Sequence, residues 1–107
     1  MQTFIGRKVK VSYENGLVFQ VNYLSETKLR WEALEGPKKG QAGEETITSM
    51  EVRPGIYFLN WVEEDGLTIS QILNLHEMKL NTFMTFDQGE GRQSLFETAI
   101  VEDLSAK

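Results

Sequence analysis

This chain predicts an all-β fold, a roughly eight-stranded antiparallel meander barrel. Three observations carry that expectation. Apolar and polar residues alternate in short runs, turn-forming residues separate the runs, and no long segment sustains a helical period. At roughly eight strands, a closed barrel leaves an interior for side chains or one small ligand, and closure removes aggregation-prone edges. An open two-sheet sandwich is the alternative arrangement of the same pattern.

The first run is Arg7 to Tyr13. Residues two apart on a strand share a face, so Val9, Val11 and Tyr13 oppose Lys8, Lys10 and Ser12. Glu14-Asn15-Gly16 then turns the chain, and Asn-Gly is the strongest short hairpin signal. Leu17 to Leu24 returns with Leu17, Phe19, Val21 and Tyr23 on one face. Lys28 to Leu34 follows, where Leu29, Trp31 and Ala33 alternate with Lys28, Arg30 and Glu32. Glu35 to Glu44, rich in Gly and Lys, reads as an irregular connection. Glu45 to Val52 is a weaker strand, stopped by Arg53-Pro54-Gly55.

Ile56 to Glu63 is the most apolar strand, reversed by Glu64-Asp65-Gly66. Leu67 to Leu75 pairs back with Leu67, Ile69, Gln71, Leu73 and Leu75 aligned. Lys79 to Phe86 and Gln93 to Val101 form a final hairpin across Asp87 to Gly91. Weak helical spacing between Leu73 and Leu80 is read as strand and turn.

Length and charge narrow the function. A chain of 107 residues is expected to be one domain, 1–107, with a single core. Its formal net charge of −5 disfavours nucleic acid and anionic membranes as partners. The one local basic cluster, Lys38-Lys39, reads as a solvated loop. No apolar run approaches the ~18–20 residues of a membrane span, and the N-terminal segment lacks the build of a secretory signal. A cytoplasmic location is therefore expected. With no cysteine and a single histidine, His76 in a turn, neither a metal site nor a Ser-His-Asp arrangement is predicted. The glycines of Gly40 to Gly43 and Gly89 to Gly91 lack the strand–helix context of a phosphate loop. No cofactor is expected.

Chemistry concentrates in Ile56 to Glu63. Tyr57, Leu59, Trp61 and Glu63 share one face, an apolar wall ending in an acid. Buried there, Glu63 would have a raised pKa suited to general acid–base work. In the other reading it joins Glu64 and Asp65 in an exposed hairpin, where glutamates usually reside. Tyr13 closes the inward face of the first strand, with a hydroxyl able to reach water at a barrel mouth. Gln71 offers a further polar contact; Arg30 is placed outward by parity, and Arg53 is undetermined. The opposite face, Ile56, Phe58 and Val62, is also apolar and needs its own cover; a homodimer is the simplest, and packing under a long loop is the other.

Two segments carry a family resemblance. F-I-G-R-K-V-K-V-S-Y-E-N-G, Phe4 to Gly16, and G-I-Y-F-L-N-W-V-E-E-D-G, Gly55 to Gly66, resemble the bacterial phenolic acid decarboxylases. They are more similar still to the MoaF-like proteins; both groups are lipocalin-like (calycin) barrels. The resemblance spans about Phe4 to Phe86, and it implies that Glu63 points into the barrel near Tyr13. The decarboxylases add a second tyrosine on the first strand and an arginine after the third. Here those positions hold Val11 and the arginine-free Gly40 to Gly43. The bidentate carboxylate clamp is thus missing, and decarboxylation of a phenolic acid is not expected.

The resulting expectation is a small-molecule-binding barrel with Tyr13, Trp31, Leu59, Trp61, Glu63 and Gln71 at its site. The alternatives are an enzyme using Glu63 and Tyr13 as catalytic residues, or a non-catalytic homodimeric interaction protein.

Overall fold

The computed structural model describes residues 3–105. Met1, Gln2, Ala106 and Lys107 of the expected domain lie outside the described residues. Nine strands follow one another: β1 (Lys8–Tyr13), β2 (Val18–Ser25), β3 (Lys28–Glu35), β4 (Ala42–Thr46), β5 (Thr48–Arg53), β6 (Ile56–Val62), β7 (Thr68–Asn74), β8 (Lys79–Gln88) and β9 (Gly91–Asp103). They form one antiparallel sheet in the order β4-β3-β2-β1-β9-β8-β7-β6-β5. No described residue is helical, so no helix is long and apolar enough to cross a membrane.

The barrel class is as the alternation predicts, and the two-sheet sandwich is not formed. One difference lies at Ile47. The single strand expected over Glu45 to Val52 is two, because the chain changes partners there. Before Ile47, Thr46 pairs with Lys28 of β3; after it, Thr48 pairs with Asn60 of β6. Ile47 is buried, and its N–H donates to the Thr27 carbonyl at 2.8 Å. The two ends of the sheet are therefore one bent strand, which nearly closes the ring. A second difference is the length of the last hairpin, whose strands run to Gln88 and from Gly91.

Inward faces follow the predicted parity. Val9, Val11, Tyr23, Leu29, Ala33, Tyr57, Leu59, Trp61, Leu73 and Leu75 are buried, joined by Leu80, Ala99 and Val101. One end of the barrel is plugged by Phe4, whose ring meets Tyr23 and Tyr57 at 5.3 and 4.9 Å between centroids. The β1–β2, β3–β4, β6–β7 and β8–β9 turns lie at the opposite end. Val9 pairs with Asp103, so the first and last strands complete the wall. His76 is exposed, as expected, with Nε2 2.6 Å from the Pro54 carbonyl oxygen.

Candidate functional site

The end away from the Phe4 plug opens into an internal cavity of about 300 Å³. Most of its wall is apolar: Val11, Leu17, Phe19, Val21, Leu29, Ile69, Leu80 and Met84, with the rings of Trp31 and Trp61. Apart from Leu17, which directly precedes β2, these come from the inward parity positions of β1, β2, β3, β6, β7 and β8. Tyr13, Phe19 and Trp31 form a chain of edge-to-face rings, 6.2 and 6.1 Å between successive centroids. Such geometry sets the positive ring edge against the negative face of its neighbour.

Polar groups enter the cavity in two places. Within the wall, Gln71 of β7, Thr82 of β8 and Glu97 of β9 are register partners on three adjacent strands. Gln71 Nε2 donates to Thr82 Oγ1 at 3.2 Å, and Tyr13 Oη lies 2.9 Å from the same oxygen. Burial raises the Tyr13 pKa, the hydrogen bonds from Thr82 and Gln71 oppose that, and the Glu97 charge adds to it. Tyr13 is thus a neutral phenol whose hydroxyl is held in place. Glu97 lines the cavity with no ion pair or hydrogen bond among the described residues.

The second polar group forms the mouth. Trp61 Nε1 donates to Glu63 Oε2 at 3.1 Å, and Trp31 Nε1 donates to Glu45 Oε2 at the same distance. Each indole is thereby fixed by a carboxylate beside it. Gly43 makes room for one of them: a Cβ at that position would sit 3.1 Å from three Trp31 ring atoms. Burial holds the Glu63 carboxyl above its ordinary range; the Trp61 N–H works against this, the Glu45 charge with it, and Lys38 against it. Glu35, Pro37 and Lys38 complete the rim.

Of the residues expected at the site, Tyr13, Trp31, Trp61, Glu63 and Gln71 line the cavity. Leu59 is fully buried in the core and is not in the cavity wall. Tyr13 and Glu63 line the same space, but their hydrogen bonds run to Thr82 and Trp61 and not to each other. Arg30 and Arg53 are both exposed and neither lines the cavity. Thr82, Glu97 and Glu45 were missed by sequence reasoning. The signal for the first two was available, since Thr82 shares parity with Leu80 and Met84, and Glu97 with Leu95 and Ala99.

Fold and site together define a small antiparallel β-barrel with an apolar, ring-lined internal cavity and a carboxylate-bearing mouth. The chain belongs to the MoaF-like family, whose model matches residues 5–94. No curated protein matches it. Among solved structures, it is similar to a Burkholderia vietnamiensis crystal structure described as that of a "putative beta-lactamase". That likeness has a TM-score of 0.83 at 23% identity, covering 96% of this chain and 97% of the other. At that identity the likeness concerns the fold.

Proposed function

We propose that this protein is a small-molecule-binding barrel of the lipocalin-like (calycin) type, holding a modest apolar or aromatic ligand. The observation that carries the reading is the cavity itself: about 300 Å³, mostly apolar walls, and a few convergent polar groups. That is the usual make-up of a ligand site. Rings and aliphatic side chains supply burial, while Tyr13, Gln71 and Glu63 fix orientation. The chain's two tryptophans both line the cavity, so its intrinsic fluorescence reports occupancy directly. Titration with the neutral probe 3-phenylpropan-1-ol is expected to give a saturable emission change, abolished by filling the cavity with Ile69→Phe. A strictly linear, non-saturating response sinks the reading.

Binding is favoured over turnover because the two candidate proton carriers are separately engaged, Tyr13 by Thr82 and Glu63 by Trp61. No arginine lines the cavity to clamp a carboxylate. Incubation with a hydroxycinnamate is expected to leave its conjugated-acid absorbance unchanged. A β-lactamase reading, suggested by the name of the structural neighbour, finds no serine nucleophile among the described residues of the cavity wall.

A homodimer is a second, compatible reading. Phe58 is 38% exposed and Val62 68% exposed on the outer face of β6, next to the half-buried Ile56. Cross-strand pairing extends that apolar surface through Met50 and Ile72, both opposite Phe58.

A further inference from the structure

The proposed ligand site has a charge balance that its apolar walls do not dictate. Among the described residues, three carboxylates line it, Glu35, Glu63 and Glu97, against one lining cation, Lys38. Glu45 adds a fourth carboxylate just outside, close enough to act on Glu63. Two further cations of this end are engaged, Lys39 with a lining acid and Arg92 outside the cavity. Lys39 Nζ lies 3.9 Å from Glu35. Arg92 donates to Asp87 Oδ1 at 3.0 Å, to the Gly66 carbonyl at 2.7 Å and to Thr85 Oγ1 at 2.9 Å. It ties the last hairpin to the β6–β7 turn and is not part of the cavity wall.

Charge and rings point the same way. The rings of Tyr13, Phe19, Trp31 and Trp61 line one space, and a cation held against a ring face is attracted by its quadrupole, most when desolvated. A carboxylate ligand would meet the opposite: among the described residues, the charges of Glu63 and Glu97, neither of them in an ion pair, and no guanidinium in the lining. Glu97, which lacks an ion pair among the described residues, is the acid best placed to gain one from a ligand.

Resting on the binding reading above, we propose that the cavity selects an amphipathic cation, an apolar or aromatic body carrying an ammonium head, over the matching acid. The head sits among Glu63, Glu97 and the rings, and the body fills the space lined by Val21, Leu29 and Ile69. Lys38 at the rim tempers this preference without reversing it.

Three probes of matched length and different charge test it: 3-phenylpropylamine, 3-phenylpropan-1-ol and 3-phenylpropanoate, titrated at pH 7 against the tryptophan emission. The amine is expected to bind at least about tenfold more tightly than the carboxylate. That ratio is expected to fall by about threefold or more in Glu97→Gln and in Glu63→Gln, each confirmed folded by thermal unfolding. Added salt should narrow it as well. Saturable binding of the alcohol with no preference for amine over carboxylate overturns the charge assignment and leaves the pocket reading intact. A preference that survives unchanged in both variants overturns the assignment to these carboxylates. Failure of all three probes to bind overturns both readings.

Discussion

At the residue scale, two carboxylates on this barrel titrate in opposite senses. Glu63 is held above its ordinary range, chiefly by burial and further by Glu45. Relative to the unfolded chain, the native state therefore disfavours its ionised form. The stability this confers is complete below the ordinary glutamate pKa and is lost as pH climbs through the raised native value. Glu63→Gln, which keeps an acceptor for the Trp61 N–H, is expected to melt above the parent at pH 7. The two curves should converge below about pH 4; identical melting at pH 7 would contradict the argument. Asp103 runs the other way. Ser105 donates to it from its hydroxyl at 2.6 Å and its N–H at 2.9 Å, and Arg7 pairs with it, so its pKa is depressed. Its contribution is present above the ordinary aspartate value and lost as pH falls through the depressed one. Asp103→Asn should thus be destabilised at pH 7, with the deficit closing in acid. Tyr23 is a third case. Its hydroxyl is buried without a hydrogen-bond partner among the described residues. Removing an unsatisfied buried hydroxyl relieves its desolvation cost, so Tyr23→Phe is expected to gain about 1 kcal/mol in chemical denaturation. A loss of similar size would show that the hydroxyl is satisfied in solution.

At the element scale, what could be read in advance depended on whether the information was local. The inward faces of β1, β2, β3, β6 and β7 follow from alternation, because the pleat fixes which side each residue takes. Five of the six expected site residues fall in the cavity wall for that reason. The break between β4 and β5 was not legible. Gly43, Glu45, Ile47 and Ser49 keep one parity straight through the bend, so the pattern shows no interruption when the hydrogen-bonding partner changes from β3 to β6. Partner choice is a long-range property, and alternation carries no record of it. Leu59 illustrates the complementary limit: parity places it inward, but only depth along the barrel decides between core and cavity. The corner at Ile47 should be costly to hollow. Ile47→Ala is expected to lose about 2–4 kcal/mol, measured by denaturant unfolding; a loss under about 1 kcal/mol would mean the bend does not depend on that side chain. At Gly43 the effect is geometric. Gly43→Ala forces the Trp31 indole to give way by a few tenths of an ångström, which should alter the tryptophan emission while the barrel stays folded.

At the scale of the whole molecule, the outer surface is as informative as the cavity. Phe83 and Phe96 face each other across β8 and β9, rings 6.3 Å apart, with Phe96 68% exposed. Together with Phe58, Ile72 and Met50 they leave an apolar tract along the β5–β9 side. Sedimentation at micromolar concentrations is expected to show a dimer that Phe58→Asp, at the centre of the β6 face, dissociates; a monomer at high micromolar concentration removes the dimer reading. The pairing of β1 with β9 has another consequence. Leu104 N–H donates to the Lys8 carbonyl at 2.8 Å, so the described stretch begins and finishes side by side. A chain made from its amino end must hold β1 half-paired until β9 has been synthesised. Neighbouring hairpins can zip as they appear, but the ring itself waits for the final strand, a long-range contact that slows folding. The same adjacency makes the point of entry arbitrary: joining the two ends by a short linker and cutting at Glu90 would present the same barrel to solution in a different order of manufacture.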